Sequence, residues 1–285
     1  MSSWKATIYA GHGSAKMRPD WAGRLAVALL LLLIGIALGA PLLFPDPLTQ
    51  RLDRALLRPG SSGHLLGTDH LGRDVASRIA HGARSSLMAA IGSATIAFSG
   101  GMMLGLLDAA GPKPLRVTLG VLADATLAFP TILLAMTLAL VFGRGIGQLS
   151  ATLGVIYIPV VYRVVRSQAR SVTQQDYYRI SGALGTGPLG RIVLHLVPHA
   201  APHALVQAAG LAALAIGTEA ALSFLGMGAQ PPEPSWGLLL SDARRYLGQA
   251  PYLSIAPGVA VIAATFSFQY SSDRLAAWIR RYDDG

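Results

Sequence analysis

"LAVALLLLLIGIALGAPLLF", residues 25–44, runs for twenty positions without a charged side chain. At 1.5 Å per residue a helix of that length covers about 30 Å, the thickness of a bilayer's hydrocarbon core. A cleaved secretory leader is the rival reading of an apolar run near an N-terminus, but its hydrophobic region is only about 7–15 residues long. This run is longer, starts late and is followed by others of its kind, so it is read as a retained first span. Composition agrees. Hydrophobic residues make up 52% of the 285 and charged residues only 13%, about half the charge of a soluble domain. The mean hydropathy is +0.49, and the chain reads as an all-α integral membrane protein.

Working outward, six spans are expected, at about 24–44, 84–108, 117–141, 147–168, 200–225 and 253–273. The second is rich in Gly, Ala and Ser, which let helix backbones approach where lipid gives no hydrophobic drive for association. Pro159 in the fourth is tolerable if neighbours satisfy the freed carbonyl. Basic residues collect in alternate segments: Lys5, Lys16, Arg18 and Arg24; Lys113 and Arg116; Arg163 through Arg191; and Arg274, Arg280 and Arg281. Basic segments stay on the cytoplasmic side, so both termini are expected inside. The net charge of +9 then serves orientation beside anionic lipid, not nucleic-acid binding. With no cysteine, disulfides, thiolate metal sites and cysteine nucleophiles are excluded.

Between the first two spans lies "HLLGTDHLGRDVASRI", residues 64–79. Thr68 or Asp69 can cap a helix over 69–81 whose Leu71, Val75 and Ile79 share one face. Such a helix would lie on the outer membrane surface, with Arg73 and Ser77 reachable from water. Asp69, Arg73, Asp74 and, from the later "QPPEPSWG" (230–237), Trp236 are the candidate residues of an outer mouth. His70 and His81 lack a third metal ligand in register. The longest inside segment, 169–199, pairs two short apolar faces across "GTGP" (185–188), where Gly185 can take a left-handed cap. A hairpin with its tip at Ala183, Leu184 and Gly185 either plugs another protein's groove or packs under its own bundle.

This segment resembles the EAA loop of importer-type ABC transporter permeases. Gly185 and Pro198 keep that loop's spacing, whereas Arg179, Ile180 and Ser181 stand where Glu-Ala-Ala would be. "LGTDHLGRDVASRIAHGARSSL" (66–87), "DATLAFPTILLA" (124–135) and "EAALSFLGMGAQPPEPSWGLLLSDAR" (219–244) resemble the signatures of the dipeptide, oligopeptide and nickel permeases. Within that family the chain is similar to the second of two unlike permeases.

The resemblance implies the type I ABC importer permease fold, six transmembrane helices with a cytoplasmic coupling hairpin. It divides the chain into a cytoplasmic tail (1–23), a first transmembrane helix (24–44), a periplasmic segment with an amphipathic helix (45–83), a core (84–273) containing the coupling loop 169–199, and a tail (274–285). It implies docking of an ATPase subunit through Tyr178, Ala183, Leu184, Gly185 and Pro198. It implies as partners a second, unlike permease, two ATPase subunits that bind ATP and Mg, and a periplasmic or lipid-anchored solute-binding protein. The expected place is the bacterial inner membrane. This chain carries no GxxxxGK[ST] loop, so no cofactor is expected in it and ATP hydrolysis would belong to the ATPases.

Two acids lie in the spans, Asp124 and Glu219, where a charge costs at least about 2.5 kcal/mol. Asp124 can pair with Arg116 or snorkel; Glu219 is deeper. Both either make structural hydrogen bonds or line a path or gate. His195, His199 and His203 are spaced by four, but Pro198 and Pro202 are expected to disturb their helix. The resemblance implies a cargo of short peptides or, in the same machine, of nickel or a metal–metallophore complex. An unrelated channel or membrane enzyme is the remote alternative, lacking any HExxH, GxSxG or His–Ser–Asp cluster.

Overall fold

The computed structural model describes residues 21–61 and 63–283, and all regular elements among them are helical. Lys5, Lys16 and Arg18, on which the inside assignment of the first tail rests, lie outside the described residues. Helix α1 is Trp21–Leu43 and α2 is Val75–Ala110. Helices α3 (Lys113–Ala128) and α4 (Thr131–Phe142) follow, then α5 (Ile146–Thr173) and α6 (Asp176–Ala183). The remaining helices are α7 (Pro188–Phe224), α8 (Trp236–Ala243) and α9 (Tyr252–Asp283).

Five of these are long and apolar enough to cross a membrane: α2, α5, α7 and α9, with residues Gly23–Leu43 of α1. The expected third span is broken. α3 and α4 meet at 100°, because Pro130 supplies no N–H and pushes Phe129 out of helical conformation, to φ −87° and ψ 139°. Taken together the pair is long and apolar enough to count as a sixth span.

The core is the packing of α2 against α5, with α7 against both and α1 and α9 along the sides. Small residues permit it. A Cβ on Gly105 would stand 2.5 Å from Val165 Cγ1, and one on Gly154 would stand 2.6 Å from Ile96 Cβ. Both are far inside van der Waals contact, so only glycine lets these two backbones come so close. Gly101 faces Val161 in the same way. Pro159 is buried inside α5 without ending it.

One local expectation is corrected and two regions are made specific. No separate helix forms over 69–81: α2 begins at Val75 and runs unbroken through the second span. Its cap is Asp74, whose side chain accepts from the Ser77 N–H at 2.7 Å, and neither Thr68 nor Asp69. At 36 residues α2 is about 54 Å long, so its first turns project beyond the hydrocarbon. Second, Pro198 and Pro202 do not break their helix, and the expected disturbance is local to the segment that holds His195. α7 runs through both, after one wide π turn at Ile192–Leu196, of the kind that re-registers a hydrogen-bond ladder. Third, the tail from 274, for which no secondary structure is expected, continues α9 as helix up to Asp283.

Candidate functional site

At the end of the bundle where α2 begins, the stretch 64–79 is an internal brace. Asp69 Oδ1 accepts from the Leu71 and Arg73 N–H groups, both at 2.9 Å. Its Oδ2 accepts from Arg73 Nε and Arg78 Nη1, both at 2.7 Å. Arg78 Nη2 reaches on to Asp242 of α8 at 3.2 Å. Burial alone would push the Asp69 carboxyl up. The Arg73 backbone N–H and the Arg78 and Arg73 guanidiniums outweigh it and hold the carboxyl below its ordinary value. Asp74 turns its second oxygen to His64 Nδ1 at 2.8 Å.

Arg73 is only 8% exposed and Ser77 is fully buried, so neither is reachable from water as expected. The reason is tertiary: Arg73 is held by Asp69 and lies 3.8 Å from Asp242 of α8, and the Ser77 hydroxyl donates to the Pro45 carbonyl in the loop after α1. The Tyr252 hydroxyl of α9 donates to the carbonyls of Leu57 at 2.8 Å and Thr68 at 3.2 Å, tying the same loops down.

One helical repeat further in, Glu219 of α7 is fully buried. The Ser223 hydroxyl donates to its Oε1 at 2.7 Å and the Ser86 hydroxyl to its Oε2 at 3.0 Å. Each serine oxygen in turn accepts a backbone N–H, Ser223 from Ala229 at 3.0 Å and Ser86 from Trp236 at 3.2 Å. Since each hydroxyl has a single proton, both chains run one way, from backbone N–H through serine to the carboxylate. One side chain thus joins α2, α7 and both ends of the segment 229–236. Trp236, also fully buried, adds an Nε1 bond to the Ile79 carbonyl at 3.1 Å. Glu219 and Trp236 therefore belong to one joint between α2, α7 and the segment that leads into α8.

The other end of α2 holds a group that sequence reasoning missed. Asp108 is fully buried and accepts from the Tyr162 hydroxyl at 2.7 Å and from Arg170 Nη2 at 3.1 Å, with Arg166 Nε at 3.3 Å. It is the only charged residue between 85 and 112, a signal that was available. This cluster locks α2 to α5 just before α5 leads into α6. Asp124 pairs with Arg163 of α5, Nη2 to Oδ1 at 2.6 Å, and not with Arg116, whose Nε donates to the Gly111 carbonyl. The Asp124–Arg163 pair lies on the surface of the chain, with side chains 69% and 53% exposed.

Beyond α5 the chain folds into a hairpin, α6 and the start of α7. Thr186 N–H bonds to the Ser181 carbonyl and Gly185 N–H to that of Gly182, the paired bonds of a Schellman cap with glycine left-handed at φ +91°. Leu184 at the tip is 81% exposed, and Ala183, Leu189 and Pro198 are exposed as well. Tyr178 is half-buried under the Arg191 guanidinium, 5.2 Å from its ring centroid, and packs beside Leu196. His195 Nε2 meets the Ser181 hydroxyl at 3.1 Å, which closes the two arms on each other. Arg179, at the position where the loop it resembles has glutamate, is exposed, with no side-chain partner among the described residues.

A bundle of apolar spans, with α5 passing into a helical hairpin that leads straight back into α7, is now joined by a family match. Residues 97–281 match the binding-protein-dependent transport system inner membrane component. The chain belongs to that family. The permease is 34% identical over 252 residues to the di/tripeptide transport system permease protein DppC of Pseudomonas aeruginosa, covering 86% of this chain and 83% of that one. It is 34% identical to the glutathione transport system permease protein GsiD of Pectobacterium atrosepticum, covering 86% and 82%. Against the dipeptide transport system permease protein DppC of Escherichia coli the identity is 32%, covering 86% and 84%. It is a multi-span membrane transport subunit of the peptide ABC importer family, and not an enzyme.

Proposed function

We propose that this permease forms half of the translocation path of an ATP-driven, binding-protein-dependent importer of short peptides. The second half comes from an unlike permease, ATP and Mg are held by two ATPase subunits, and a solute-binding protein delivers cargo from outside. In this arrangement the hairpin lies inside with both termini, and the α2 start, the α8 segment and the 45–74 loops lie outside. The observation that carries the reading is the hairpin tip. An exposed leucine on a rigid glycine cap is a knob for a partner's groove, and α7 is one continuous helix from that knob into the bundle. A push on Leu184 therefore becomes a rigid-body movement of a span.

The Asp124–Arg163 pair supports a water-filled path on the α3–α5 face. Charges on a membrane span belong against a cavity or a polar partner, since lipid contact is costly. Peptide is the cargo proposed because the relatives named above carry di- and tripeptides or glutathione by their names.

The test is the purified importer in proteoliposomes. Leu184→Cys should crosslink to an ATPase subunit, and Gly185→Val should uncouple dipeptide uptake from ATP hydrolysis while the subunit still assembles. A valine in the left-handed region is disfavoured by about 1–2 kcal/mol or more, which spoils the tip without touching the spans. Normal coupled uptake in Gly185→Val would defeat the docking role.

A further inference from the structure

A cleft of about 390 Å³ opens on the α2-start end of the bundle. Its walls are the loop after α1 (Asp46, Leu48), the second to fourth turns of α2 (Arg84, Met88) and the segment before α8 (Glu233, Pro234). Charges of both signs share this space, yet they do not neutralise each other. Among the described residues the Arg84 and Glu233 side chains, both exposed, have no ion-pair or hydrogen-bond partner, and the Asp46 carboxylate accepts only from the Leu48 N–H. The neighbouring brace behaves oppositely: Asp69, Arg73, Arg78 and Asp242 are joined to one another. Opposite charges in one cleft that stand beyond 4 Å of each other suit a ligand that brings both counter-charges at once.

We propose that this cleft is an outer-mouth subsite for a zwitterionic short peptide, with Arg84 taking the α-carboxylate and Glu233 with Asp46 taking the α-ammonium. The proposal rests on the peptide-import reading and deepens it. A dipeptide is small on this scale, since two extended residues span at most about 7 Å and the cleft holds about 390 Å³. Chemistry agrees too: a guanidinium offers a planar fork to a carboxylate, and charge-assisted bonds are the stronger class. The rest of the lining mixes apolar Pro47, Leu48, Met88 and Pro234, adaptable to varied side chains, with polar His81 and Ser85. Position gives the subsite a consequence. Glu233 is three residues from Trp236 and Arg84 two from Ser86, the two groups joined through the Glu219 joint. A ligand bridging Arg84 and Glu233 therefore straddles from outside the same α2-to-α8 joint that Glu219 holds from inside.

The test uses the complete importer in nanodiscs, without its binding protein. Met88→Cys, in a chain that has no cysteine of its own, carries an environment-sensitive fluorophore, and the same complex without that substitution gives the background. L-Alanyl-L-alanine should produce a saturable change. N-Acetyl-alanyl-alanine and alanyl-alanine amide should each raise the half-response concentration about tenfold, the worth of one charge-assisted bond. Arg84→Ala or Glu233→Gln should do the same to the free dipeptide, and exchanging the two charges (Arg84→Glu with Glu233→Arg) should restore its response, which a merely structural role would not.

Equal responses to the three peptides, or none in a complex that imports dipeptide with its binding protein, would overturn the subsite. Absence of dipeptide uptake by the wild type would instead overturn the peptide reading. Nanodiscs of phosphatidylglycerol with and without phosphatidylethanolamine separate the other zwitterion at this depth. A change that follows phosphatidylethanolamine and ignores dipeptide overturns the peptide assignment.

Discussion

Replacing Glu219 tests whether one buried carboxylate holds the outer segment to the bundle. In Glu219→Gln one oxygen becomes an NH₂ group. The serine facing it still accepts its backbone N–H, from Ala229 or Trp236, but its own proton loses the carboxylate oxygen it donated to. One buried donor goes unpaired, at about 2 kcal/mol. In Glu219→Ala both Ser86 and Ser223 lose their acceptor and a cavity replaces the side chain, at about 4 kcal/mol. With about 3 °C per kcal/mol for a chain of this size, the expected falls in melting temperature are about 6 °C for Gln and about 12 °C for Ala. The assay is thermal unfolding of the purified importer followed by tryptophan fluorescence, to which the fully buried Trp236 contributes. A Glu219→Ala complex as stable as wild type, or equal losses for the two variants, would refute the relay of serine hydroxyls.

Three further outcomes follow from the packing and the charges. Gly105→Leu should prevent assembly and Gly105→Ala should cost about 1–3 kcal/mol by overpacking against Val165, read as loss of monodisperse complex on size exclusion; equal yield of both with wild type would contradict the close α2–α5 contact. Asp108→Ala should destabilise by about 2 kcal/mol, less than a fully buried pair because Arg166 and Arg170 keep some water, and Arg170→Ala introduced on top should add little beyond it, as thermal double-mutant cycles would reveal. Because the Asp69 carboxyl is held below its ordinary value of 3.8, its stabilisation is complete above that value and is lost as pH falls below it toward the folded-state value. Asp69→Asn should therefore be less stable than wild type at neutral pH and the difference should shrink at the acid end, measured as melting temperature against pH.

Much of the architecture was legible because a membrane span is a property of contiguous residues. Residues 25–44 announce a span by length alone, and Gly185 announces a turn because few other residues accept positive φ. Asp124 and Glu219 were singled out as costly charges, and both proved to have partners. Other features were hidden. Nothing local distinguishes the start of α2 at Val75 from a surface helix over 69–81, since the same apolar spacing serves both. Asp108 was visible as a lone acid, but its three partners lie more than fifty residues away on α5.

What the sequence by itself determined, then, is the membrane class, the number and order of apolar segments, the hairpin and the family resemblance, all carried by local length, spacing and motif. What only the tertiary structure decided is which polar groups meet: Asp69 with Arg78 and Asp242, Glu219 with Ser86 and through it Trp236, Asp108 with Tyr162, Arg166 and Arg170. The bend at Pro130 belongs to the same category in its angle, though not in its place. The physical reason is that a buried charge persists only with its partners in reach. Those partners are set by how helices pack, through glycines and valines far apart in the chain.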